Sequence, residues 1–138
     1  MDDTKREWGR SWLTEAHSDL RSARALAALA EPATDTAVYH YQQTAEKALK
    51  GYLAFRGRPL ERTHDLERLL ELAIALEPSF APLDAQADVL NPCATAFRYP
   101  DMLDVQFPSV AEVSSAIEHA QAVYDFVLIR LPVEVHPV

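Results

Sequence analysis

Three glycines and a single cysteine in 138 residues set the first limits on what this chain can be. There is neither a GxxxxGK[ST] loop nor a GxGxxG turn, which excludes the P-loop and the dinucleotide fold as ways of holding a phosphate. The lone Cys93 excludes an intramolecular disulfide and predicts a reducing compartment. With Pro92 before it and no base beside it, it reads as a small packed residue. HxxxH and HExxH are both missing, so no metal is predicted, and Asp101, Asp104 and Glu112 read as solvated acids. No cofactor is predicted either. No apolar run approaches the ~20 residues of a bilayer span. The charged opening MDDTKREWGR has no apolar core, which predicts no secretory signal. Together these absences predict a cytoplasmic protein that does not enter a membrane.

Positive charge is also scarce. Thirteen Lys and Arg stand against 21 Asp and Glu, a net charge of −8 that opposes indiscriminate coating of nucleic acid. The distribution is uneven. Residues 1–30 balance, while 31–39 and 69–138 are acidic. Only His40 to Arg68 turns positive, with Lys47, Lys50, Arg56, Arg58, Arg62 and Arg68 against Glu46, Glu61, Asp65 and Glu67. An anion would settle there.

What the chain does have is apolar content, 49%, at helical spacing nearly throughout. Its length fits one compact domain, read as residues 1–132 with 133–138 as a frayed tail. Leu13, Ala16, Leu20, Ala23 and Ala27, extended by Trp8 and Trp12, predict helix one over about 4–30. Helix two spans about 36–56 from an Asp35 cap, with Val38, Tyr41, Ala45, Ala48, Leu49, Tyr52 and Phe55 on one side, and Gly57 and Pro59 stop it. Thr63 or Asp65 caps helix three, LERLLELAIAL, which Pro78 ends. Ser79 opens helix four, where Phe80, Leu83, Ala87 and Leu90 form the stripe and Pro92 shortens it. Ser109 and Glu112 spell a capping box before helix five, whose Val113, Ile117, Ala120, Tyr124, Val127 and Leu131 face inward. No strand alternation and no repeat appear. The expected fold is all-α, an up-and-down antiparallel bundle of four to five helices.

The segment HYQQTAEKALKGYL, from His40 to Leu53, carries the chemistry. On a helical wheel His40, Gln43, Lys47 and Lys50 form a stripe opposite the apolar arc. Glu46 lies beside it, within i,i+4 reach of Lys50. Gln42 falls at the apolar edge, where its amide needs a partner if buried. One reading is a solvated face with a Glu–Lys pair. The other is a working surface, since His and Gln donate and accept together where plain solvation asks only for Lys and Glu.

That segment, followed by THDLERLL and FRYPD and preceded by EAHSDLRSARAL, resembles the HEPN family (higher eukaryote and prokaryote nucleotide-binding domains) over nearly the whole chain. The resemblance implies a helical bundle, usually a homodimer. Members of this family often accompany a small nucleotidyltransferase, and several are ribonuclease toxins of toxin–antitoxin pairs. Others bind nucleotides or act as interaction modules. The family's helix-two signature falls on Gln42, Gln43, Glu46, Lys47 and Lys50, its Thr-His-Asp element on Thr63, His64 and Asp65, and its late Arg on Arg98, followed by Tyr99 and Pro100. The ribonuclease branch follows that Arg with a His after four to six intervening residues, and here Leu103, Asp104 and Val105 occupy the window.

The resemblance therefore predicts a binding module more than an enzyme. It is expected to engage a partner protein such as a minimal nucleotidyltransferase, and a nucleotide or RNA phosphate through His40, Gln43, Glu46, Lys47, Lys50, His64, Arg98 and Tyr99. The alternative is a metal-independent endoribonuclease toxin with a degenerate motif, in which Arg98 stabilises the phosphorane and a His from elsewhere, His64 or His40, moves the proton. A third reading makes the polar stripe purely structural, ordering a dimer seam, with Trp8 and Trp12 as core or interface anchors.

Overall fold

The computed structural model describes residues 3–94 and 107–137. Among them the chain forms five α-helices and no strand: α1 (Asp3–Ala27), α2 (Thr34–Phe55), α3 (Leu66–Leu76), α4 (Asp84–Leu90) and α5 (Val110–Ile129). Short 3-10 turns cover Pro78–Leu83, Asn91–Ala94 and Val133–Val135. Arg98, Tyr99, Asp101 and Asp104 lie outside the described residues.

Packing centres on α2, which touches each of the other four helices. It pairs antiparallel with α1, so that Gly9 meets Gly51, Glu15 meets Lys47 and Asp19 meets His40. The glycines permit the close approach. A Cβ on Gly51 would lie 3.2 Å from Leu13 and Trp12 side-chain atoms and 3.3 Å from the Gly9 carbonyl. Val38, Tyr41, Ala45, Ala48, Leu49 and Tyr52 are all buried, as the periodicity of helix two predicts.

Gly57 ends α2 at φ 79°, the left-handed region that glycine enters without strain. The Gly57 and Arg58 amides then bond back to the Ala54 and Leu53 carbonyls at 3.0 and 2.9 Å. The connection 56–65 runs back along α2 and delivers His64 beside Glu46, and α3 then follows α2 in the same direction until Glu77 reaches Tyr52. Asp65 caps α3 by accepting the Glu67 amide at 3.0 Å. Thr63 instead accepts the Asp65 amide within the loop at 3.1 Å. Asn91, far along the chain, completes the cap by accepting the Leu66 amide at 2.9 Å and donating to the Asp65 carboxylate at 3.0 Å.

Several element boundaries differ from the sequence expectation. Helix one stops at Ala27, short of 30. Asp35 does not cap α2: the helix begins at Thr34 after Ala33, with no side-chain cap, and Asp35 sits in the first turn where a carboxylate favours the helix dipole. Ser79 does not open a regular helix, because Pro78 and Pro82 hold Pro78–Leu83 in 3-10 form, and its hydroxyl donates to Glu77 at 2.7 Å. Trp8 is 54% exposed and is no core residue. The frayed-tail reading also fails at Val135, which is fully buried and packs against the Gly9 notch. Beside it His136 Nε2 meets the Leu128 carbonyl at 2.8 Å. The Ser109–Glu112 capping box forms in both directions at 3.1 Å.

A polar brace closes the end of the bundle away from His64. Glu77 accepts from Tyr52 Oη at 2.8 Å and from Arg130 Nε at 2.9 Å, tying the ends of α2, α3 and α5. The Arg130 guanidinium lies 3.3 Å from the Phe126 ring centroid.

Candidate functional site

Lys47 and Lys50 are not free cations on a solvated stripe. Because α1 covers one side of α2 and the returning connection covers another, the stripe opposite the apolar arc is drawn inside the molecule. Gln42 is fully buried, and Gln43, Glu46 and Lys50 are each no more than 9% exposed. Charged groups at that depth must be paired.

Two networks do the pairing. In the first, Asp19 of α1, itself buried, takes His40 Nδ1 at 2.7 Å on one carboxylate oxygen and Lys47 Nζ at 2.7 Å on the other. Glu15 adds a contact to Lys47 at 3.4 Å. Burial by itself would lower the Lys47 pKa, but the two carboxylates outweigh it and hold the ammonium above its usual range. This network fastens α1 to α2.

The second network centres on Glu46. One carboxylate oxygen accepts from Lys50 Nζ at 3.0 Å, while the Lys50 ammonium also lies 5.4 Å from the Trp12 ring centroid. The other oxygen accepts from His64 Nδ1 at 2.9 Å, with the Gln42 and Gln43 amides farther off at 3.3 and 3.4 Å. Gln43 donates to the Gln42 carbonyl oxygen at 2.8 Å, and Gln42 donates to the His64 main-chain carbonyl at 3.1 Å. Both the ring and the backbone of His64 are therefore fixed from below.

The His64 side chain is nevertheless 76% exposed. A carboxylate already facing an ammonium is an acceptor, so the His64 Nδ1 carries the hydrogen and the lone pair sits on Nε2. No bond occupies Nε2 among the described residues. The result is an imidazole of fixed tautomer and orientation, held by a buried acid and turned outward. Such a group can receive an anion when protonated, or move a proton or attack an electrophile when neutral.

The same connection, 56–65, exposes Arg58 and Arg62; Arg58 is near enough to Glu61 to help Arg68 hold its carboxyl below the usual range, and neither guanidinium forms a close ion pair among the described residues. Arg68 is committed to Glu61 at 2.8 Å. Trp8, Trp12, Lys50, Leu53, Arg58 and Leu60 line a shallow cleft beside the corner. Lys50 is common to the cleft and to the Glu46 network.

The structure brings Gln43, Glu46, Lys50 and His64 together, and places His40 and Lys47 in the neighbouring Asp19 network. Sequence reading missed Asp19 and Glu15 as the acids that neutralise helix two. Their four-residue spacing within EAHSDLRSARAL puts them on one face of α1, which is the signal that was available. Glu46 binding His64 across 18 positions has no counterpart in local spacing.

A HEPN domain family model matches residues 10–130. TT1696 from Thermus thermophilus is similar over 89% of this chain and 98% of its own, at 30% identity and a TM-score of 0.76. ST0689, an archaeal HEPN homologue, is similar over 88% of this chain and 96% of its own, at 25% identity and a TM-score of 0.71. No functionally curated protein matches the chain. The family match spans the helix-two network, the His64 corner and all of α5, and on it the chain belongs to the HEPN domain family.

Proposed function

We propose that this chain is a HEPN binding module whose working surface is the α2–α3 corner, where His64, Arg58 and Arg62 receive a phosphate of a nucleotide or RNA. The observation that carries the reading is the exposed His64 ring locked by buried Glu46. A bundle gains nothing in packing from holding a solvent-facing imidazole with a desolvated carboxylate. A binding site gains a ring whose entropy is already lost, and one that donates to a phosphate through Nε2 when protonated. Lys47 and Lys50 support the scaffold in this reading, and the exposed guanidiniums take over the phosphate role expected of them. Arg98 and Tyr99 remain candidates for the same ligand. The module works in the cytoplasm, as a homodimer and beside a minimal nucleotidyltransferase of a toxin–antitoxin-type pair.

Fluorescence anisotropy with a labelled single-stranded RNA tests the reading. The protein should bind saturably, with affinity falling as salt rises. His64→Ala and Arg62→Ala should each weaken binding roughly tenfold, in line with a charge-assisted hydrogen bond. Binding that is absent, or unchanged in both variants, contradicts the assignment.

The same His64–Glu46 geometry favours one second reading, the metal-independent endoribonuclease. An oriented imidazole with a free Nε2 can take the proton from a 2′-hydroxyl while Arg98 stabilises the phosphorane. Metal-free incubation with RNA decides between the two. Cleavage that disappears in His64→Ala and in Arg98→Ala establishes the nuclease, and intact RNA in the presence of saturable binding establishes the module.

A further inference from the structure

Five histidines occur in the chain, and all five lie within the described residues. His17 is half-buried and stacks on Tyr124, with ring centroids 6.2 Å apart. His40 gives Nδ1 to Asp19 and leaves its ring 27% exposed against Tyr39. His119 is half-buried on α5, and His136 has Nε2 against two main-chain carbonyls. His64 alone combines a carboxylate on Nδ1 with a ring mostly in solvent.

From that combination we infer that His64 Nε2 is a phosphoryl-accepting nucleophile, and that this chain is modified there by donors carrying a P–N or acyl-phosphate bond. The inference rests on reading this corner as a phosphate-receiving surface, and it adds a covalent step. Three physical requirements are met. A nucleophilic imidazole needs its lone pair on the exposed nitrogen, which the Glu46 acceptor enforces by fixing the hydrogen on Nδ1. The phosphorylated ring keeps that hydrogen and becomes cationic, and Glu46 at 2.9 Å offsets the new charge. The donor is an anion, and Arg58 and Arg62 on the same connection attract it.

With phosphoramidate as donor the step balances. The Nε2 lone pair forms a bond to phosphorus, the P–N bond of the donor breaks, and ammonia leaves with the electron pair and takes a proton from water. No electron is gained or lost, and no metal or second reactant enters.

Potassium phosphoramidate itself is the probe. The intact folded protein is incubated with it without metal, and phosphoryl groups are counted by intact mass and placed by peptide mapping at neutral pH. The expected result is one phosphoryl group, on His64, added at least about tenfold faster than on any other histidine of the same molecule. The preference should disappear when the protein is unfolded in urea, and Glu46→Gln should slow His64 roughly tenfold. Because the other four histidines are the internal reference, the result stands even where the Glu46 variant fails to fold. Equal labelling of His17, His119 and His64, or an unlabelled protein beside labelled free histidine, overturns the inference. RNA binding is measured separately. Binding without labelling defeats the nucleophile and spares the proposed function, and labelling without binding does the reverse.

Discussion

Glu46 is the residue on which the α2–α3 corner depends. Its carboxylate is 3% exposed and receives Lys50, His64 and two glutamine amides. Removing it strands a buried ammonium, while the Gln42 and Gln43 amides keep the His64 main-chain carbonyl and the Gln42 side-chain oxygen as acceptors. Breaking a buried pair from one side costs about 3–5 kcal/mol, so Glu46→Ala should lower the urea midpoint of unfolding by an amount in that range. His64→Ala removes a ring that is mostly in water and should cost less than about 1 kcal/mol. Comparable losses for the two variants would contradict the division between a structural acid and a functional imidazole.

At the scale of elements, the α1–α2 crossing is set by Gly9 and Gly51. Replacing Gly51 with Ala gains about 1 kcal/mol of helix propensity. The new methyl, however, meets the Gly9 carbonyl at 3.3 Å, and a helix carbonyl cannot swing away as a flexible side chain does. Overpacking of this kind costs about 1–3 kcal/mol, so Gly51→Ala should be net destabilising in thermal unfolding, and a raised melting temperature would refute the close-packed crossing. Most helices were legible in the sequence because each carries a 3.6-residue apolar period and a recognisable end. The Ser109–Glu112 box and the Asp65 cap formed as their residue types predict. The polar face of α2 was not legible, for a physical reason. A helical wheel assumes one face toward water, whereas α2 is covered by α1, by the returning connection and by α3, α4 and α5. The hint was compositional, two Gln and a His where a solvated face asks for Lys and Glu. Thr63 and Asp65 account for loop and cap, and they conceal that His64 between them meets the buried Glu46.

At the scale of the whole molecule, the buried titratable groups set how the fold responds to pH. Burial pushes the Cys93 thiol up to about 11, and the Tyr41 and Tyr124 phenols up to about 12. In the unfolded chain these groups lose their protons near ~8.5 and ~10. Between the two sets of values the unfolded state is the less protonated, so stability falls as pH rises. Lys47, held above its usual range, adds to the trend, because its ion pair with Asp19 is present below the unfolded lysine value and is lost as pH rises through the raised one. The urea midpoint should hold steady from about pH 7 to ~8.5 and then decline, and a midpoint unchanged through about pH 10.5 would contradict the buried placement of these groups. The fold is thus built to keep its ionisable groups paired or neutral inside, with the His64 ring left outward. The most direct measurement of that claim is a long-range proton–nitrogen correlation of the histidine rings near neutral pH, recorded with and without a short single-stranded RNA. The prediction is a His64 ring with its hydrogen on Nδ1 whose Nε2 resonance moves saturably on titration, while those of His17, His119 and His136 stay in place. A His64 ring averaging between tautomers, or one unmoved by RNA, would contradict the assignment of this corner as the working surface.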